Sequence, residues 1–166
     1  MIANFIVAFA AFYHIIATLA AMMSVFHFAR ILRGDEDGHP LWRRVFDWGE
    51  THLWISGAIL IGAGIYQTGL TEYLNNPKLW TKVGLVVLWW ANSCAIRRTL
   101  RTASAVRRNL MFGISTGSLL YGTLLGVSKP LAYGVLPLPW FLAGLVATIA
   151  LCTYAVGRLF PAARPA

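Results

Sequence analysis

Residues 3–32 run almost without a strongly polar side chain: before Arg30 the only ones are Asn4, His14 and His27. A helix needs ~20 apolar residues to cross the hydrocarbon of a bilayer, and this stretch has enough. The charge content agrees. Only 12% of the residues are charged and 58% are hydrophobic, whereas a soluble domain carries about a quarter charged. The chain, residues 1–166, reads as a single all-α integral membrane domain. Its first residues lack a basic n-region and the apolar run is too long for a cleaved leader, so the first helix is expected to be retained.

Further apolar segments recur at residues 51–67, 78–96, 110–127 and 140–159. Between the first two, Arg33-Gly34-Asp35-Glu36-Asp37-Gly38-His39-Pro40 is a solvated break, and His39 within it reads as inert. The second segment starts near Leu41 with an amphipathic turn. Asn76 before Pro77 is biased away from helix, and the proline suits the first turn of the third segment. The expected fold is a bundle of five transmembrane helices, or four if the fourth segment is re-entrant.

A net charge of +8 invites a nucleic-acid partner, but its distribution rejects one. Arg30, Arg33, Arg43 and Arg44 surround the first connection, and Arg97, Arg98, Arg101, Arg107 and Arg108 the third. Arg158 and Arg164 lie towards the C-terminal end. Basic residues in alternate connections mark the cytoplasmic side. With five crossings the N-terminus is then outside and the C-terminus cytoplasmic; four crossings would put the last arginines outside. The expected partner of these groups is the lipid bilayer, whose anionic headgroups suit arginine.

The fourth segment differs in kind. Gly113 and Gly117, then Ser118, Gly122 and Gly126, stand four residues apart, and such spacing lets helices approach closely in lipid. Self-association, or docking onto other membrane subunits, through Gly113, Gly117, Gly122 and Gly126 is therefore expected. Cys94 and Cys152 stand alone in apolar segments and read as structural thiols, with no CxxC pair. A serine hydrolase has no Gly-x-Ser-x-Gly elbow to support it. All six acids lie in connections or at a rim, so a proton pump lacks its carboxylate chain.

Polar groups that meet the membrane make the candidate site. Asp47, Glu50 and His52 gather where the second apolar segment begins. Counting helix rise from the first connection puts His27 and His52 at similar depth on neighbouring antiparallel helices. Level imidazoles could ligate haem b, or hold a transition metal together with Asp47 or Glu50. The structural alternatives are that His27 is interfacial, that His52 is held locally, and that both acids pair with arginines. His14 lies deeper, where Thr18 one turn on could satisfy it. His14 and His27 are 13 residues apart, which turns them about 140° from one another on a helix, so two haems stacked along it are not expected. Lys82 lies inside the outer end of the third segment, with snorkelling to headgroups as its structural alternative.

Tyr13-His14-Ile15 on a helix that ends in an arginine is followed by a glycine-rich second helix. The third opens with Lys78-Leu79-Trp80-Thr81-Lys82-Val83-Gly84. This order resembles the small bacterial membrane families around the HemJ-type protoporphyrinogen oxidases and the copper-resistance CopD domains. The likeness covers about residues 10–100 and implies function for His14 and Lys82, with a bacterial inner membrane as the location. It departs where the HemJ-type pattern has a late histidine in the third helix and this chain reads Ala91-Asn92-Ser93-Cys94. Three functions are open. One is a haem- or porphyrin-associated redox protein, held through His14, His27, His52 and Lys82, the last pairing a propionate. Another is a non-enzymatic subunit of a larger membrane complex. The third is a metal or small-solute transporter using Asp47, Glu50 and His52.

Overall fold

Helices account for nearly all of the computed structural model, which describes residues 2–31, 40–99, 102–128 and 135–159. In chain order they are α1 (Ile2–Ile31), α2 (Pro40–Thr68), α3 (Leu70–Leu74), α4 (Pro77–Thr99), α5 (Ala105–Val127) and α6 (Leu138–Leu159). Local chemistry sets several of their ends. Gly69 takes φ 84°, a left-handed backbone that separates α2 from the short α3. Asn76 Oδ1 accepts from Lys78 N at 3.1 Å just ahead of α4, whose first residue is Pro77. Ser104 caps α5, its hydroxyl accepting from Arg107 N at 3.3 Å.

Four of these helices, α1, α4, α5 and α6, are long and apolar enough to cross a membrane. Their large apolar side chains face outwards, Phe5 at 73% and Val146 at 67% exposure. The fully buried side chains are instead dominated by serine and threonine: Ser24, Ser56, Thr81, Ser93, Ser115 and Ser118. An apolar exterior over an interior of small and polar residues is what lipid selects. The chain is an all-α, multi-pass membrane protein.

The second apolar segment stands apart from these four. It is the C-terminal part of one unbroken helix that starts at Pro40, and α2 is not among the four spanning candidates. The physical reason is that its first turns carry Arg43, Arg44, Asp47 and Glu50. The fourth segment is also a single unbroken helix, so no re-entrant loop interrupts it.

The bundle is assembled by close approach. A Cβ on Gly49 of α2 would lie 3.0 Å from Ala21 N and 3.1 Å from Ala17 O, so α1 and α2 nearly touch backbones. Three of the four glycines of α5 singled out above pack against helices of the same chain. Gly113 faces Thr153 and Gly117 faces Ile149, both on α6, while Gly122 faces Leu85 of α4. Gly126 has nothing within 4 Å. Polar contacts reinforce the seams. Asn92 Nδ2 donates to Met111 O at 2.7 Å and to Ser115 Oγ at 2.8 Å, joining α4 to α5. Tyr121 Oη donates to Phe141 O at 2.7 Å, joining α5 to α6. Lys78 Nζ reaches Ser128 O at 2.6 Å, a cation at the negative end of the α5 dipole.

Candidate functional site

His14 sits well inside the span of α1, and one of its ring nitrogens is committed. Nδ1 lies 2.8 Å from Ser56 Oγ of α2, and Ser56 is fully buried. The serine has a single proton, which it donates to His52 O at 2.5 Å. Ser56 Oγ must then accept from His14, which places the imidazole proton on Nδ1. Nε2 is left with its lone pair, and it is the nitrogen able to bind a metal or take a proton. Thr18, expected to satisfy the imidazole, instead donates to the His14 carbonyl at 2.8 Å. Ser56 is the partner that matters. It sits unmarked in an apolar run, and its only signal is being buried one turn beyond His52.

Lys82 of α4 comes within electrostatic reach of the His14 ring. It is half-buried, and no hydrogen bond or ion pair joins it to another described residue. An imidazole and a hydroxyl thus meet across α1 and α2, and the charge of a third helix reaches the imidazole. Beside them a groove of about 280 Å³ opens between α1 and α2, lined by Phe5, Phe9, Tyr13, Ser56 and Ile59 among others. That volume is at the lower limit for a small-molecule site.

The other histidines are elsewhere. His52 stacks on Trp48 with ring centroids 4.3 Å apart and presents an edge to Tyr13 at 5.7 Å. Its Nδ1 is 2.6 Å from Trp48 O, the local hold considered above. His27 stacks on Trp42 at 4.6 Å. Trp42 precedes His52 by ten residues on the same helix, so the two imidazoles are separated by about 15 Å along the bundle. The expectation that they lie level is corrected. α2 begins at Pro40, close to the expected start near Leu41, so His52 is twelve residues into the helix and far past the level of His27.

Asp47 and Glu50 share one guanidinium. Arg97 Nη2 is 2.8 Å from Asp47 Oδ1 and 2.6 Å from Glu50 Oε2, tying α2 to the end of α4. The same guanidinium lies 5.6 Å from the Phe46 ring centroid. Pairing with arginine is as expected, and the arginine is Arg97 of α4. The quartet His27, His52, Asp47 and Glu50 is not assembled. Among the described residues no three His, Cys, Asp or Glu side chains converge as a metal would need.

These positions bear on a porphyrin in a definite way. His27 and His52, separated by about 15 Å along the bundle, do not form the level axial pair expected of them. A porphyrin held through His14 Nε2, with a carboxylate on Lys82, does fit the donor set. No family model, curated protein or solved structure matches the chain.

Proposed function

We propose that this protein is a five-crossing bacterial inner-membrane protein that handles a porphyrin, haem b or a precursor, at His14 and Lys82. One observation carries the reading. Lys82 is a half-buried cation in α4, a candidate spanning helix without an acid of its own, and its charge reaches the His14 ring. An ionisable group at such a position is functional by default, and a cation there calls for an anionic partner. A porphyrin supplies an apolar macrocycle for the lipid-facing groove and carboxylates for the ammonium. Bound haem would add one-electron redox chemistry. The chain's own part is to fix the imidazole through Ser56 and neutralise a carboxylate through Lys82. The likeness of the first and third helices to the HemJ-type proteins supports the same residues.

The orientation with the N-terminus outside rests on charge. Arg43, Arg44, Arg97, Arg98, Arg107, Arg108 and Arg158 all stand near helix ends that the antiparallel packing brings to one side. A C-terminal reporter active only in the cytoplasm checks it. For the site, haemin and protoporphyrin are titrated into detergent-purified protein. The expected result is a shifted Soret band that His14→Ala abolishes for haemin and Lys82→Gln weakens for both. No spectral change with either compound overturns the proposal.

A further inference from the structure

The α4–α5 seam contains hydrogen-bonding groups that no other described residue satisfies. Trp89 is 2% exposed and Ser118 0% exposed. Neither Trp89 Nε1 nor Ser118 Oγ has a partner among the described residues. Most hydroxyls of the bundle are satisfied, Thr116 Oγ1 of α5 being a further exception. Thr18, Ser24, Thr81, Ser93, Thr123, Thr148 and Thr153 all fold their hydroxyls back onto the carbonyl four residues earlier. Ser118 does not, so its hydroxyl is turned away from its own backbone.

Register brings the two groups to the same place. Leu85 lies against Gly122, and Asn92 bonds Ser115, across these antiparallel helices. Trp89 is four residues from Leu85 and three from Asn92. Ser118 is four from Gly122 and three from Ser115. Trp89 and Ser118 are therefore level in register and on the facing sides of the two helices, with the indole ring also 6.0 Å from that of Phe46. Trp89 also packs in the central cluster with Phe112 and Leu119, which flank this turn of α5.

An indole nitrogen only donates, whereas a hydroxyl both donates and accepts. Leaving both dry inside a bilayer is costly, since no lipid atom can replace the lost bonds. We propose that a water molecule is bound within the membrane between Trp89 and Ser118, accepting from the indole N–H and bonded to the serine hydroxyl. This site is independent of the porphyrin reading, because it lies on a different seam and uses none of its residues.

The test is isotope-edited infrared spectroscopy of the full chain in detergent or nanodiscs. The expected result is an internal O–H stretching band that shifts in oxygen-18 water and is absent from W89F. A wild-type spectrum with no isotope-shifted band, or one unaltered by W89F, overturns the proposal. S118A gives a second readout with a sign. Removing a water-bonded hydroxyl lowers the Tm, whereas removing a dry, unpaired one leaves it unchanged or raises it. An unchanged or raised Tm therefore overturns the water site as well.

Discussion

The imidazole of His14 meets the hydroxyl of Ser56 at 2.8 Å across the α1–α2 seam, and Ser56 passes its own proton to the backbone of its helix. Ser56→Ala removes the only hydrogen-bond partner seen for the ring and leaves a half-buried Nδ1 unmatched. A destabilisation of about 1–3 kcal/mol is expected for such an orphaned group, read as a lower Tm in detergent. Porphyrin affinity should fall roughly 10–100-fold, because the orienting partner of a ligating imidazole is lost. Ser56→Thr keeps the oxygen and should recover most of both. Equal losses in the alanine and threonine variants would count against a hydrogen-bonding role.

Arg97 serves Asp47 and Glu50 with one nitrogen, but the three groups are not equally buried. The side chains of Arg97 and Asp47 are 47% and 46% exposed, and that of Glu50 is 14% exposed. Solvent screens the first pair, so it should account for no more than about 1 kcal/mol of the Arg97→Ala loss at low salt. The loss should shrink as ionic strength rises and the Debye length falls to ~3 Å near 1 M. Thermal unfolding at low and high salt measures the difference. A salt-independent loss would point to the guanidinium over the Phe46 ring as the larger contribution.

Asn92 is the polar link between α4 and α5, giving its amide to both Met111 O and Ser115 Oγ. Interhelical bonds of this kind contribute about 0.6–2 kcal/mol in membranes. Asn92→Ala should reduce stability by that order, and Asn92→Asp should not rescue it, because a carboxylate cannot donate. Unfolding in a denaturing detergent series reads the change. Ser115→Ala alone should be milder, since Met111 O still accepts.

Helix positions were legible because long apolar runs leave a membrane helix little alternative, and Pro77 and Gly69 mark boundaries by mechanism. Depth was not. The level of His52 depends on every residue from Pro40 onward adding helical rise, which puts it twelve residues into α2. Choice of partner was not legible either. That acids near Arg43 and Arg44 would pair with arginine follows from charge, but only the packed bundle selects Arg97. Ser56 illustrates the same gap, because a serine in an apolar run has no signature until another helix presents a histidine to it. The small-residue spacing of α5 correctly signalled close packing. It could not say that the neighbour would be α6 of the same chain.

That last distinction yields a paired test. A Cβ on Gly117 would lie 2.8 Å from Ile149 Cα and 3.1 Å from Ile149 N, which are backbone atoms that cannot swing aside. Gly117→Ala must push α6 away from α5, and overpacking of this kind costs about 1–3 kcal/mol. Gly126, on the same helix, has nothing within 4 Å of a built Cβ. Gly126→Ala meets no clash and removes a flexible residue from a helix, so it should be neutral or stabilise by up to about 1 kcal/mol. Both variants remain monomeric if the glycines pack only within the chain. Opposite signs in Tm, with unchanged size in detergent, confirm internal packing; a change in oligomeric state on Gly117→Ala would assign that face to a second copy.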